Sequence, residues 1–409
     1  MKLPSLNVQI LIGAVFGILV GLFFQQTGIE NSTASSSLYA ATIVGTLFID
    51  LLKMILIPLV FCSIVVGIAN LRQHQQMHKV WMNTLIFFVF TMAIAMIVGM
   101  VASTYFKPGS GLEVSMFEGA MQNFQSQQMP LPAFFAHFLH NLFVNPFQAL
   151  AEGKVLAVVI FALFLGIALV MGGDRYKNIL VLLEEGLQVT MRIVNWIMWL
   201  APYGIAALLI KLVAIQDVAM LGTLVQFVAI VAGTLIFHGV IVLPLLLFLF
   251  TGKSPIWFWQ GAKQALITAF ATSSSSATLP ITMRCATEQL GVKPEIAGFV
   301  LPLGATMNMD GTALYEAAAA LFIANLVGVD LSFTQQIIVF FTAMLASIGA
   351  PGIPSAGMVT MVLVLQSVGL PAEAIAILLP VDRMLDTLRT TINVEGDITA
   401  SLVVQKIVS

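Results

Sequence analysis

Apolar runs long enough to cross a bilayer recur from residue 7 to residue 250. Beyond Lys253 they give way to apolar sequence broken repeatedly by polar, charged and helix-breaking residues. A helix rises 1.5 Å per residue, so ~20 apolar residues cross a hydrocarbon core of about 30 Å. Residues 7–24, 38–71 (broken by Pro58), 80–106, 187–212 (with Pro202 inside) and 220–250 read as spans, and residues 131–170 as a fragmented span interrupted by Pro146 and by Glu152-Gly153-Lys154. Only 9% of the 409 residues are charged, against roughly 25% in soluble domains. The chain is therefore an all-α polytopic membrane protein. No basic block points to nucleic acid, and Cys62 and Cys285 lie in or beside apolar runs as buried small residues rather than a disulfide. The N-terminus lacks a signal-peptide cleavage pattern, so the first run reads as a retained span. Lys2, Arg72, Lys79, Arg175, Lys177 and Lys253 fall on one side of the spans, Lys107 and Lys211 on the other. That asymmetry puts the N-terminus in the cytoplasm, and Asn31-Ser32-Thr33 in an outer loop as a sequon or a chance tripeptide. His74 and His78 flank a basic loop without a third ligand nearby and read as solvated.

Three later stretches do not suit ordinary spans. Residues 257–272 and 281–290 are each too short to cross and are joined by Ser273-Ser274-Ser275-Ser276 and Thr278-Leu279-Pro280. Residues 334–345 and 358–368 repeat that design around Ala346-Ser347-Ile348-Gly349-Ala350-Pro351-Gly352-Ile353-Pro354-Ser355-Ala356-Gly357. Paired interrupted segments describe two re-entrant hairpins and point to a transporter binding site. A serine nucleophile would need a positioned base, and no histidine follows His238, so the chain is not an enzyme. Residues 301–327 read as a span broken at Asn308-Met309-Asp310-Gly311-Thr312, where Gly311 weakens the helix. Asn and Asp oxygens with carbonyls freed by unwinding suit a hard cation such as Na⁺.

The last apolar stretch carries Asp382, Asp386, Arg389, Asn393 and Asp397, spaced 4, 3, 4 and 4. At roughly 100° per residue they share a stripe about 80° wide, with Thr390 at its edge. Arg389 can hold a carboxylate through two parallel N–H donors and Asp386 an ammonium. A site with both suits a zwitterion with an extra carboxylate. The alternative is a self-paired Asp–Arg ladder.

These motifs resemble the dicarboxylate/amino acid:cation symporters, the glutamate transporters, including eukaryotic excitatory amino acid transporters and archaeal aspartate transporters. The serine tip, Asn308-Met309-Asp310-Gly311-Thr312, the Gly/Pro tip and the charged last helix occur in the family's order, and residues 52–59 and 107–111 fit as well. The resemblance covers nearly the whole chain. It implies eight transmembrane helices plus two re-entrant helical hairpins in a homotrimer with an elevator fold. Residues 1–73 and 120–215 would form a static scaffold, and residues 74–119 and 216–409 a transport domain gated by the second hairpin. Both termini would be cytoplasmic, in the cell (inner) membrane.

On the same resemblance, Arg389 binds the substrate side-chain carboxylate beside Thr312. Asp386 takes the α-ammonium, and Thr390 and Asn393 hold the α-amino acid end. Main-chain groups at Ser274, Ser275, Ile353 and Gly357 close over the substrate. One Na⁺ uses Asp397 with the main chain of Gly304, Asn308 and Asn393. A second uses the main chain of Thr306, Ser347, Ile348 and Ala350. A third uses Asp310, Asn308, Thr91 and the main chain of Phe88. Sodium-coupled relatives carry a hydroxyl ligand where this chain has Met92. Archaeal relatives place an arginine in the serine tip, and animal ones just after the last-span aspartate. Ser273 and Thr387 occupy those positions here. Tyr315-Glu316 is similar to the animal proteins, where the glutamate carries a proton, which implies H⁺ co-transport through Glu316; K⁺ counter-transport follows on the same analogy. The expected function is import of L-glutamate and L-aspartate coupled to Na⁺ and H⁺. The competing expectations are a C4-dicarboxylate symporter, against which Asp386 argues, a neutral amino acid carrier, an anion channel and a receptor.

Overall fold

The computed structural model describes residues 6–27, 32–69, 78–110, 143–152, 155–215, 219–350, 352 and 354–408. The predicted positions Asn31, His74 and Ile353, and the part of the fragmented span before residue 143, lie outside them. Among the described residues every regular element is helical. In chain order they are α1 (Leu6–Thr27), α2 (Ser32–Ala69), α3 (His78–Phe106), α4 (Pro146–Glu152), α5 (Val155–Gly172), α6 (Lys177–Trp199), α7 (Ala201–Ile215), α8 (Ala219–Phe237), α9 (Leu243–Thr251), α10 (Pro255–Thr272), α11 (Ser275–Arg284), α12 (Pro294–Met307), α13 (Asp310–Leu326), α14 (Phe333–Gly349), α15 (Ala356–Ser367) and α16 (Ile375–Val408).

Three of these stretches are long and apolar enough to cross a membrane unaided: residues 8–26, 79–106 and 222–251. Their outward faces carry Ile12, Phe16, Leu19, Phe23, Val101, Val225 and Leu249, each more than half exposed. Apolar surface on that scale belongs against lipid. The chain is a polytopic helical membrane protein.

Two groups of helices emerge from the packing. In the first, α2 packs on α5, α6 and α7, and α1 on α7. Gly13, Gly17 and Gly21 line one stripe of α1, where an added Cβ would fall 2.4 Å from Pro202 O, 2.6 Å from Ala206 O and 2.7 Å from Val213 Cβ. Small residues at this spacing let two apolar helices approach where lipid offers no hydrophobic drive between them. In the second group α16 is the axis, with α3, α8, α9, α10, α12 and α13 packed around it. Its apolar faces fill with Phe258, Ala297, Val300, Val394 and Ile398. Between the groups runs a cleft lined by Ile10, Phe48 and Leu59 on one side and Met358, Val359 and Arg383 on the other.

Several boundaries differ from the sequence reading. Pro58 does not break α2, which runs through it from Ser32; a proline removes one hydrogen bond, and apolar neighbours can hold the helix across it. Pro202 opens α7 rather than sitting inside a span, and the chain bends by 51° between α6 and α7. Pro146 likewise starts α4, where its missing N–H costs nothing. Residues 173–176 form a short 3₁₀ segment that leads directly into α6. The serine tip is two residues long, because Ser275, Ser276, Thr278 and Pro280 already belong to α11.

The break in the later span falls at Asn308 and Met309, so Asp310, Gly311 and Thr312 form the first turn of α13 instead of the break. Gly311 is there for contact, not for unwinding: an added Cβ would lie 2.5 Å from Arg389 O and 2.8 Å from Arg389 Cα on α16.

Candidate functional site

α10 and α11 pack against each other through the turn Ser273–Ser274, and α14 and α15 through residues 350–355. Both tips use a non-glycine residue in left-handed backbone, Ser273 at φ 51° and Ser355 at φ 59°. Such residues are costly unless the surroundings fix them. Here the surroundings do: Ser274 Oγ–H donates to Gly352 O at 2.8 Å and Ser276 N–H donates to the same oxygen at 3.0 Å. Gly352 is so enclosed that a Cβ would meet Ala305 O at 2.2 Å. The two hairpin tips are thus one joined structure, set against the C-terminal end of α12.

Beneath the second tip lies Arg389, fully buried on α16. Its Nη2–H donates to Asp382 Oδ1 at 2.7 Å and Asp386 Oδ1 at 2.8 Å. Its guanidinium carbon sits 4.1 Å from the centre of the Tyr315 ring. Its Nε and Nη1 have no hydrogen-bond partner among the described residues. Gly357 and Thr312 flank Nη1: a Cβ on Gly357 would be 3.1 Å from it and 3.0 Å from Thr312 Cγ2. Buried guanidinium N–H groups without acceptors are costly. Nη2, which both forked edges of a guanidinium share, is taken by the two aspartates, so the free N–H groups of Nη1 are left to donate to a further acceptor such as one carboxylate oxygen. Asn393 ties the far side together, accepting from Gly311 N–H at 2.8 Å and donating to Thr312 Oγ1 at 3.3 Å. Thr390 and Ser275 are buried nearby on α16 and α11.

Asp386 is more heavily engaged than the sequence suggests. Its Oδ2 accepts from Ser355 N–H at 2.9 Å and from Arg383 Nη1 at 3.2 Å. Arg383 escaped the sequence reading. It brings a second guanidinium to Asp386 from one turn earlier on α16, in a chain whose Ser273 and Thr387 carry none.

A second polar cluster lies deeper, where α3, α13 and α16 meet at the break between α12 and α13. Thr91 Oγ1 lies 3.0 Å from Asp310 Oδ1, 3.5 Å from Asn308 Oδ1 and 3.2 Å from Phe88 O. Asn308 Nδ2 donates to Asp397 Oδ1 at 3.0 Å. Gly304 touches the same carboxylate so closely that a Cβ would fall 2.3 Å from Asp397 Oδ1. Asp310 is fully buried and Asp397 2% exposed, and among the described residues neither pairs with a lysine or arginine. Two carboxylates out of water without a cationic side chain need positive charge from elsewhere. The C-terminal end of α12, with its unpaired carbonyls and negative dipole end, reinforces that field.

The structure therefore gathers Phe88, Thr91, Gly304, Asn308, Asp310 and Asp397 into one cluster. Met92, the departure noted in the sequence, is fully buried among apolar neighbours instead. Thr306 ends α12, and Ser347, Ile348 and Ala350 end α14, which packs on α12.

Glu316 is fully buried on α13. It accepts from Thr360 Oγ1 on α15 and from Ser347 Oγ on α14, the latter at 3.2 Å. It therefore bridges both arms of the second hairpin. Two further buried groups went unpredicted: His238, 3.2 Å from Asp310 Oδ2, and Glu395, which accepts from Trp259 Nε1–H at 3.0 Å. His238 stands as a lone charged-type residue in apolar sequence, which was the signal available, whereas Glu395 lies between Asn393 and Asp397 on the charged last helix.

Comparison with known proteins agrees with this geometry. The family model described as "Sodium:dicarboxylate symporter family" matches residues 6–407. The chain is 38% identical over 395 residues to an excitatory amino acid transporter of Caenorhabditis elegans, covering 86% of this chain and 78% of that protein. It is 34% identical over 453 residues to excitatory amino acid transporter 3 of Bos taurus, covering 99% and 85%. It is also 36% identical over 419 residues to the neutral amino acid transporter B(0) of Oryctolagus cuniculus, covering 94% and 77%. A match over essentially the whole chain makes this a membrane transporter and not an enzyme: it belongs to the sodium:dicarboxylate symporter family, whose description implies sodium co-transport.

Proposed function

We propose that the protein imports L-glutamate and L-aspartate by symport with Na⁺ and H⁺. The observation that carries this reading is Arg389, buried on the axis helix with Nε and Nη1 unpartnered among the described residues beneath the second hairpin tip. The substrate side-chain carboxylate accepts from Nη1, between Gly357 and Thr312. The α-ammonium takes Asp386, displacing Arg383 and Ser355 N–H from its Oδ2. Thr390 and Asn393, with main-chain groups of Ser274, Ser275 and Ile353, complete the pocket.

Na⁺ enters the deep cluster at two places. One is Asp397 with carbonyls of Gly304, Asn308 and Asn393. The other is Asp310 with Asn308, Thr91 and the Phe88 carbonyl. A third Na⁺ binds carbonyls of Thr306, Ser347, Ile348 and Ala350 at the base of the second hairpin. Glu316 carries the proton. Its support is its position between the two arms of that hairpin, held by hydroxyls alone. K⁺ return through the emptied site belongs to the same scheme.

Transport proceeds by an elevator in an eight-span fold with two re-entrant hairpins. Residues 1–73 and 120–215 form the scaffold of a homotrimer in the cell (inner) membrane, with both termini cytoplasmic. Residues 74–119 and 216–409 move as the transport domain. The packing of α1, α2 and α5–α7 mainly on one another, and the cleft between them and the helices around α16, support that division.

One observation favours a second reading. Both oxygens of Asp386 are already held by side-chain and main-chain donors, so a C4-dicarboxylate could bind Arg389 without calling on Asp386 at all. A neutral amino acid would leave Arg389 without a carboxylate. The test is uptake of labelled aspartate, glutamate and succinate into proteoliposomes, with Na⁺ and pH gradients imposed separately. Na⁺-dependent uptake of the two amino acids, raised by an inward H⁺ gradient, is expected. Succinate uptake driven by H⁺ alone replaces this reading with the dicarboxylate one, and anion current without labelled uptake replaces it with a channel.

A further inference from the structure

His238 is a fully buried imidazole in an otherwise apolar span. It opens a π turn, His238–Val242, inserted between α8 and α9. Such turns put one extra residue into a helix and concentrate at functional sites. This one sets the backbone directly on α16: an added Cβ on Gly239 would fall 2.4 Å from Ile392 Cδ1 and 2.9 Å from Glu395 Oε2. The neighbouring imidazole is thereby held in place, with Nε2 3.2 Å from Asp310 Oδ2. Its other ring nitrogen, Nδ1, is buried with no hydrogen-bond partner among the described residues. The ring therefore makes one polar contact, and that contact is to Asp310.

The opposite oxygen of the same carboxylate, Oδ1, faces Thr91 Oγ1 at 3.0 Å, beside Asn308 Oδ1. Asp310 is thus gripped on one oxygen from the π turn and presents the other to the oxygen cluster. An ionised carboxylate only accepts, so the contact forms with the Nε2–H tautomer of the ring. Groups that orient a ligating carboxylate from behind typically change metal affinity by ~10–100-fold when removed.

We propose that His238 is a positioning residue for Na⁺ coupling: by donating Nε2–H to Asp310 Oδ2 it fixes the carboxylate so that Oδ1 meets the cation with Thr91 and Asn308. This rests on the reading of Asp310 as a Na⁺ ligand. His238 itself does not touch the ion.

The test uses the full-length protein and two readouts. One is the Na⁺ concentration giving half-maximal thermal stabilisation of the purified protein, with choline chloride keeping ionic strength constant. The other is the Na⁺ half-saturation of aspartate uptake in proteoliposomes. His238→Gln places an amide N–H₂ where Nε2 sits, whereas the shorter His238→Asn places it where Nδ1 sits. The expected result is a Na⁺ half-saturation raised about 10-fold or more by His238→Asn in both readouts, and brought back to within about 2-fold of the parent by His238→Gln, with aspartate KM at saturating Na⁺ little moved. A side chain that only fills space gives no such split between the two amides. Equal Na⁺ dependence in His238→Asn and the parent overturns the proposal, and so does an equal loss in both variants. If His238→Asn does not fold, His238→Gln decides alone: near-parent Na⁺ half-saturation supports the proposal and a 10-fold rise overturns it. Asp310→Asn separates the two layers of inference. If it leaves Na⁺ dependence unchanged, Asp310 is no ligand and the underlying reading fails; if it shifts Na⁺ dependence while His238→Asn does not, only the role of His238 fails.

Discussion

Gly311→Ala isolates the closest approach on which the site depends. The new Cβ would stand 2.5 Å from Arg389 O, 2.8 Å from Arg389 Cα and 3.0 Å from Arg389 C. All three atoms are backbone of α16, so no side chain can swing aside. Reaching an ordinary contact of 3.4 Å requires a shift of 3.4 minus 2.5, or 0.9 Å, between α13 and α16. The same shift, taken along the bond from Gly311 N–H to Asn393 Oδ1, would stretch it from 2.8 Å to about 3.7 Å, beyond hydrogen-bond range. Overpacking costs ~1–3 kcal/mol, and a buried amide stripped of its acceptor a further ~1–3 kcal/mol. The variant should therefore be destabilised by about 2–6 kcal/mol. It should also lose substrate affinity, since Asn393 holds Thr312 beside Arg389. Gly298→Ala is the control, because its added Cβ meets nothing within 4 Å and alanine is the better helix former by up to ~1 kcal/mol. The assay is thermal unfolding of both purified variants in one detergent, followed by aspartate uptake in proteoliposomes. Equal melting temperatures and equal KM would refute the claim that Gly311 exists for contact with α16.

Arg389→Gln should abolish uptake of acidic substrates, and it should also destabilise the fold by ~3–5 kcal/mol, because Asp382 and Asp386 lose their shared buried cation; uptake at parental KM would show that Arg389 Nη1 is not the carboxylate site. Glu316→Gln, which keeps one acceptor oxygen for Thr360 or Ser347 and offers the other hydroxyl an N–H₂ donor but cannot exchange a proton, should make Na⁺-driven uptake insensitive to an imposed pH gradient. An unaltered pH response would remove Glu316 from the coupling scheme. Ser274→Ala deletes one of the two donors that join the hairpin tips at Gly352 O and should cost ~1 kcal/mol, read as faster exchange of amide hydrogens across residues 352–358; unchanged exchange would mean that the Ser274 hydroxyl does not hold the tips together.

The last helix was legible because helical spacing is a local rule. Asp382, Asp386, Arg389, Asn393 and Asp397 share a face whatever packs against it, and that face does meet the broken span and the second hairpin tip. The hairpins were legible from length, since each arm is too short to cross. What sequence could not supply was the reason for a residue whose role is set by a distant neighbour. Gly311 reads as a helix breaker until α16 is seen against its Cα. Pro58 reads as a break until the packing around α2 is seen to carry the helix through it. His238 offered only the signal of a polar residue in apolar sequence, because its partner is 72 positions away. Arg383 lies outside that stripe, and only the fold turns it onto Asp386.

The distribution of buried charge makes a physical case for obligatory coupling. In the substrate half, Asp382 and Asp386 are balanced by Arg383 and Arg389. In the deep half, Asp310 and Asp397 face no lysine or arginine among the described residues, and their near neighbours Thr91 and Asn308 are uncharged donors. On the proposed function, an acidic substrate would add negative charge to the first half at a depth where the second half already repels it, and low dielectric would lengthen the reach of that repulsion. Cations entering the deep cluster would remove the penalty, so each ligand would raise the affinity of the other, as linkage requires. In the same scheme Ser355 N–H and Arg383 would hold Asp386 until an ammonium took their place, next to the hairpin whose two arms Glu316 spans. A substitution that neutralises the deep half, such as Asp397→Asn, should therefore weaken the dependence of substrate affinity on Na⁺ rather than simply lower affinity. Substrate binding that stays as steeply Na⁺-dependent as in the parent would mean the two halves do not communicate through charge.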